Sequence, residues 1–241
     1  TLSTNAVVVG RGAPVAVLLP GYYRQQVEKS GLLALFDSAL VITLPGGHDA
    51  TGQELEPLDE VLAREAIARC QGRVAAFAIS SLFGVRNPTH EQRLRELVQE
   101  SGSRPVTCGH ELASDLDAPR RALTVALNAR MVPVIHALIQ AVQGILETRR
   151  IDAPLMMVKG NGSLIGIETA LQQPVGTVLS GPAASVVGAC ALSATGNAII
   201  ADMGGTTTDI AVVRNGQPEV GSDGVRIGDW NPMVEAVRVV S

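Results

Sequence analysis

The chain has 241 residues, 46% of them hydrophobic and only 17% charged, with a formal net charge of -4. This composition excludes a disordered polypeptide, and the length allows one large domain or two small ones with an ample core. No basic block of five or more residues occurs, so the electrostatic footprint of a nucleic-acid binder is missing.

Aromatic residues make up 2% of the chain, so the core must be built from Ala, Val, Leu and Ile. Cys70, Cys108 and Cys190 are far apart and form no metal-ligand spacing, and they read as reduced, partly buried thiols. No apolar run is read as a membrane span and no signal peptide is read at the start, so the expectation is a cytoplasmic protein with no membrane or nucleic-acid partner. The chain opens on Thr1 before "NAVVVG" and closes in "VEAVRVVS", and both ends are expected to be cut from something longer.

In chain order, "PVAVLLPG" (14–21) and "ALVITLPGG" (39–47) are apolar runs closed by Pro and Gly, as buried strands are. Residues 56–72 carry Leu58, Val61, Leu62, Ala66 and Ile67 at helical spacing, with Gly72 as a stop. "RVAAFAISSLFG" (73–84) is the next buried strand. "NPTHEQRLRELVQESG" (87–102) is a helix with Asn87 or Thr89 as cap and Gly102 past its end. "PVTCGH" is a short strand. This alternation argues an α/β layer with a parallel sheet.

Residues 120–149 form a long helix or a pair of helices, with Pro133 as a candidate kink. "PLMMVKGNGS" (154–163) is a strand ending in a Gly-rich turn, and a loop and short helix follow. "SGPAASVVGACALSA" (180–194) is a helix of very small residues, expected at a tight interface. Three strand-like runs close the chain: "NAIIADM", "TTDIAVVRNG" and "QPEVGSDGVRIG", with Gly-Gly and Asn-Gly turns between them.

The run "ADMGGTTTDIAVV" (201–213) concentrates the chemistry. Gly204 and Gly205 let backbone N–H groups converge on an anion, and the hydroxyls of Thr206, Thr207 and Thr208 add donors for phosphate oxygens. A carboxylate beside bound phosphate repels it unless a cation lies between, so Asp202 implies Mg2+. The plain alternative is a hairpin whose glycines turn the chain and whose polar residues satisfy backbone groups.

The order "SGPAASVVGA" then "AIIADMGGTTTDIAVV" resembles the actin, sugar-kinase and heat-shock-chaperone ATPase superfamily, and within it the hydantoinase A / 5-oxoprolinase family. "STNAVVVGRGAPVAVL", "NPTHEQRLREL", "LTVALNARMVPVIHAL", "KGNGSLIGIETA", "PVGTVLSGPAASVVGA" and "DMGGTTTD" are similar to that family's segments and follow its order. The resemblance implies an α/β fold of actin-like (ribonuclease H-like) lobes, mixed sheets with flanking helices. It implies residues 1–127 in the family's N-terminal region and 128–241 in the hydantoinase A domain, with a second lobe beginning near 198. It implies ATP-dependent opening of a cyclic amide, such as a hydantoin or 5-oxoproline, through carbonyl phosphorylation, with ATP and Mg2+ as cofactors.

Carried over by motif, Asp202 would position Mg2+, Asp209 would fix the hairpin or contact water, and both stand as catalytic candidates. Gly204, Gly205 and Thr206 to Thr208 would hold phosphates, and Ser180 and Gly181 would let the helix approach the nucleotide. A B-type partner subunit is implied, and a homo-oligomer is compatible with the family. The alternative functions are a sugar- or pantothenate-kinase-like phosphotransferase and a non-catalytic nucleotide-sensing module.

Other polar residues carry weaker expectations. His90, before Glu91, reads as solvated or capping, because no second histidine follows at metalloprotease spacing. His48, beside Asp49 in "PGGHDATG", reads as a polar loop tip. His110 follows a strand, where α/β ligand sites lie, but a surface pair with Glu111 is the simpler reading. His136 reads as packed core, Lys159 as either ligand-facing or solvent-facing, and Asn161 sits in a "GNGS" turn where the family has an "SNGG"-like one.

Overall fold

The computed structural model describes residues 12–102, 104–193, 195–205, 208–221, 224 and 226–240. The chain divides into two compact units, one over Gly10–Val134 and the other over Ile135–Ser241.

The first unit is built on four parallel strands: β1 (Val15–Pro20), β2 (Val41–Leu44), β5 (Ala76–Ile79) and β6 (Val106–Cys108), ordered β2-β1-β5-β6. A small antiparallel ribbon, β3 (Gly47–His48) with β4 (Glu54–Glu56), leaves the end of β2. Every residue of β1 is buried. A parallel strand covered on both faces reads as an unbroken apolar run, and "VAVLLP" is one.

Helices α1 (Arg24–Ser30) and α2 (Leu32–Leu35) follow β1, and α3 (Glu60–Cys70) and α4 (Thr89–Ser101) follow the ribbon and β5. One face of the sheet packs Leu18, Phe77 and Ile79 against Ile67, Leu94 and Leu97 of α3 and α4. Helix α3 starts at Glu60, four residues after its expected beginning, because Asp59 caps it: Oδ1 accepts the Leu62 N–H at 3.0 Å. The residues before that cap, Glu54–Glu56, are strand rather than helix.

Helix α5 (Ala118–Arg149) runs 32 residues as one helix through Pro133, and the division between the units falls just beyond that proline. By length and composition it could cross a membrane, contrary to the sequence reading. Its first half instead buries Arg121, Thr124, Asn128 and Arg130, a set that belongs to a core helix with partners. Asn128 Nδ2 donates to Thr107 Oγ1 at 3.2 Å, and Arg130 stacks 3.9 Å from the Phe36 ring while donating to the Leu35 carbonyl at 2.7 Å.

The second unit holds the hairpin β7 (Met156–Val158) and β8 (Leu164–Gly166), then α6 (Ile167–Gln172) and α7 (Ser180–Leu192). Its main sheet centres on β10 (Thr208–Arg214). Strand β9 (Ala198–Met203) pairs along one side of β10; on the other side lie β14 (Val239–Val240) and β11 (Gln217–Pro218). The Asn-Gly turn after β10 has φ of 51° at Asn215 and 75° at Gly216, as a two-residue hairpin turn requires. The third expected strand breaks up after Pro218, which has no N–H to extend a ladder. Val220–Gly221 (β12) pairs instead with Ala236–Val237 (β13).

Ala183, Val186, Ala211, Val213 and Val237 form the core between α7 and this sheet. Ala184, Ser185, Val187 and Gly188 of α7 are exposed, so the expected tight interface on that side is not formed within the described residues.

Glycines in this unit predict opposite responses to one change. A Cβ on Gly160 would lie 2.3 Å from the Val178 carbonyl oxygen, whereas one on Gly188 meets nothing within 4 Å. Gly160→Ala is expected to cost about 1–3 kcal/mol, and Gly188→Ala in the helix to add about 0.5–1 kcal/mol. Thermal denaturation of the two variants checks this: Tm falls in the first and rises in the second, and a fall in both would contradict the packing of α7.

Candidate functional site

Strands β9 and β10 place the motif residues in register, with Asp202 opposite Asp209 and Met203 opposite Thr208. Cross-strand partners share a face. Ala198 and Ile200 on β9, and Ala211 and Val213 on β10, pack against α7. Strand alternation therefore puts Asp202 and Asp209 on that same face, at its hairpin end. Both are half-buried. Like charges directly opposite destabilise a sheet unless a cation or donors lie between them.

Gly204 and Gly205 are exposed at the tip, and a Cβ on Gly205 would meet nothing within 4 Å. Thr208 is half-buried at the base of the turn; Thr206 and Thr207 lie outside the described residues.

Helix α7 and β9 are each about 20 Å long by their rise per residue. A short link joins the end of one to the start of the other, and the two pack together. Folding back in this way brings Ser180 and Gly181, at the start of α7, to the hairpin end of the sheet. That helix start has no acidic residue in its first turn and no side-chain cap among the described residues, and the Ser180 and Gly181 N–H groups lie at the positive end of its dipole. Leu179, just before it, is held at φ 59°, ψ 18°, the left-handed region that a leucine rarely enters. Two carboxylates, a threonine hydroxyl, a glycine turn and an open helix start form a donor set that fits a magnesium–phosphate group.

A second polar cluster, of which the sequence marked His110 as a ligand-site position, lies at the carboxyl ends of the parallel strands. Tyr22 after β1 and Ser80 after β5 share a hydrogen bond of 3.0 Å, and Tyr22 also donates to the Ala118 carbonyl at 2.8 Å. Glu91 is 0% exposed and accepts from Ser81 N–H at 2.7 Å, His110 N–H at 2.9 Å and His110 Nδ1 at 2.6 Å. Nδ1 is thus the donor in that pair. Arg121, also fully buried, donates to the carbonyls of Ser81 at 2.9 Å, Leu82 at 2.8 Å and Asp115 at 2.7 Å.

Four single-residue expectations change. His48 and His90 are buried rather than solvated. His110 pairs with Glu91 rather than Glu111, which bonds Arg95. His136 is exposed rather than packed. Helical geometry explains the last: His136 lies about 100° around the helix from Ile135, off the Ile135–Ile139 stripe that packs inward. Lys159 is half-buried, and Asn161 donates to Glu235 Oε2 at 3.2 Å while accepting from Ser163. The available signal for the second cluster was position: polar residues directly after parallel strands, where ligand sites of open α/β sheets lie.

These features define a mixed α/β protein with a Gly-Gly hairpin flanked by two aspartates. Residues 1–102 match the Hydantoinase/oxoprolinase N-terminal region and residues 121–235 match Hydantoinase/oxoprolinase. The chain belongs to the hydantoinase/oxoprolinase family. Caprolactamase subunit alpha of Pseudomonas jessenii is 33% identical over 177 residues, covering 71% of this chain and 25% of that protein. Acetophenone carboxylase gamma subunit of Aromatoleum aromaticum is 26% identical over 221 residues, covering 87% of this chain and 30% of that protein. The crystal structure of the ATP-dependent caprolactamase from Pseudomonas jessenii matches the whole chain with a TM-score of 0.86 at 26% identity, over 38% of its own length. A nucleotide-free acetone carboxylase structure shares the fold, with a TM-score of 0.83 at 21% identity, also over 38% of its length. The fold is therefore the mixed α/β, actin-like ATPase type, and the chain spans about a quarter to two-fifths of these relatives.

Burial near the second cluster sets a pH dependence. It pushes the Cys108 thiol and the Tyr22 hydroxyl each up to about 12, from ordinary values of 9.0 and 10.0. Above about pH 9 the unfolded chain loses these protons while the folded one keeps them, so stability falls as pH rises toward 12. Urea midpoints between about pH 8 and 11 should decrease steadily, and Cys108→Ala should flatten the lower part of the slope. A flat profile in the unaltered protein would contradict the burial of both groups.

Proposed function

We propose that this chain supplies the phosphate-binding half of an ATP-dependent enzyme that opens a cyclic amide, of the lactam, hydantoin or 5-oxoproline kind. The observation that carries the reading is the pairing of Asp202 with Asp209 across the mouth of a Gly-Gly hairpin, on the face where α7 begins. Gly204 and Gly205 would offer N–H groups to phosphate oxygens, and Thr208 a hydroxyl. Asp202 would hold Mg2+ through water, and Asp209 would orient that water or brace the turn. Ser180 and Gly181 would present the open end of α7 to the same anion, with no side chain bulky enough to obstruct it.

Bound ATP would supply a phosphoryl group that activates an amide carbonyl toward water. This chain's residues contribute binding and charge compensation, which dominate phosphoryl-transfer catalysis. Support for an amide substrate comes from the caprolactamase relative, and support for a second subunit from the relatives named as alpha and gamma subunits. A carbonyl substrate of ketone type is the second reading, favoured by the acetophenone carboxylase relative. Both use the same hairpin in the same way.

Titration calorimetry with Mg-ATP, metal-free ATP and ADP tests the assignment. Asp202→Asn should weaken Mg-ATP binding by about 10–100-fold, the scale of one lost charge-assisted contact, and should remove its dependence on magnesium. Equal, magnesium-dependent affinity in the variant would overturn the role of Asp202. Release of a ring-opened amide together with ADP would separate the amide reading from the ketone one.

A further inference from the structure

His48 and His90 lie against each other in the first unit, their ring centroids 4.3 Å apart and their planes tilted by 46°. They are 3% and 4% exposed. Their hydrogen bonds fix where the ring protons sit. Thr89 Oγ1 gives its one hydrogen to Asn87 Oδ1 at 2.8 Å. Toward His48 Nε2, 3.2 Å away, it can therefore only accept, so that nitrogen carries the proton. His90 Nε2 lies 2.8 Å from Glu54 Oε1, and a carboxylate accepts, so Nε2 is the protonated nitrogen there too.

In each neutral ring Nδ1 is then a bare lone pair. Both Nδ1 atoms are buried, and neither has a hydrogen-bond partner. An orphaned buried acceptor is costly, and native folds rarely leave two side by side. Protonation does not relieve them. A proton on either Nδ1 would itself lack an acceptor and would set a cation against the other ring.

We propose that Nδ1 of His48 and Nδ1 of His90 bind one divalent transition-metal ion, for which zinc is the best match. A ring whose far nitrogen donates to a carboxylate while the near one meets the metal is the usual arrangement of a metal-binding histidine, and Glu54 and Thr89 fill those outer positions. Space beside the His90 lone pair depends on Gly46: a Cβ there would sit 3.4 Å from His90 Nδ1.

The site borders a cavity of about 630 Å³ at the ends of β1 and β2, lined by Tyr22, Gly46, His48 and Phe83 among others. Two protein ligands leave coordination positions open. The metal therefore suits a small ligand with oxygen donors, such as a carboxylate or amide carbonyl. The proposal does not rest on the phosphate hairpin, which belongs to the other unit.

The test strips the full-length protein with a chelator and titrates it with Co2+ and then Zn2+. One equivalent of Co2+ should bind with visible absorption bands and be displaced by Zn2+. His48→Gln and His90→Gln should each weaken uptake by about 100-fold or more, and Glu54→Gln by about 10–100-fold, as outer-shell changes do. His136→Gln, at an exposed position, should change nothing. Uptake that survives both histidine changes, or the absence of a stoichiometric site, would overturn the proposal. Should a histidine variant fail to fold, zinc-edge anomalous scattering from crystals of the unaltered protein decides: a peak at the two Nδ1 atoms supports the site, and none refutes it.

Discussion

Two buried charges of opposite sign grip one peptide segment, and the first unit is organised around that grip. Glu91 takes the N–H of Ser81, and Arg121 takes its carbonyl. Neither side chain is exposed. Glu91 comes from α4 and also binds His110 after β6; Arg121 comes from α5 and also binds Leu82 and Asp115. The ends of β5 and β6 and the helices on both sheet faces are thereby joined through two side chains. Gly84 and Gly109 make room for the arrangement, since a Cβ at either would crowd Glu91 Oε1, at 2.2 Å and 3.1 Å. Burying such charges is costly unless every hydrogen bond is made, and here the carboxylate's bonds are made within a few residues of the strand ends.

The second unit works by a different principle. Its hairpin carries two carboxylates opposite each other next to a Gly-Gly turn. In the first unit Glu91 and Arg121 are buried and bonded to backbone groups, whereas Asp202 and Asp209 in the second are half-buried at a hairpin end. That contrast explains why the sequence signal of the hairpin is strong while that of the first unit is diffuse.

What was legible in the sequence follows from range. The strands β1, β2, β5, β9 and β10 and the helices around 60–70, 89–101 and 180–192 are announced by local periodicity and by Gly, Pro and Asp punctuation. The Asn215–Gly216 turn is likewise local. The Asp202–Asp209 pairing follows once the two strands are placed, because the turn between them is short. The histidines were misjudged for the opposite reason. His48 sits among glycines and an aspartate, which is surface composition, yet Glu54, Thr89 and His90 close over it from elsewhere in the chain. His90 was read by its neighbour Glu91, but the two side chains leave the helix toward different partners, Glu54 for one and the Ser81 and His110 amides for the other. Periodicity shows which side of a helix is buried; it does not show that a polar residue is buried there with a partner.

The central position of β1 also shapes how the chain is made. Among the described residues it is the first strand of its sheet in chain order, yet one of its two partners, β5, comes 61 residues later, from Val15 to Ala76. At about 5–20 residues per second, that edge waits roughly 3 to 12 seconds on the ribosome. Val15 to Leu19 is uncharged and rich in strand-forming residues, a composition that pairs readily with other copies of itself. The order of the strands in the sheet thus makes the protein's yield depend on what shields this segment before Ile79 emerges.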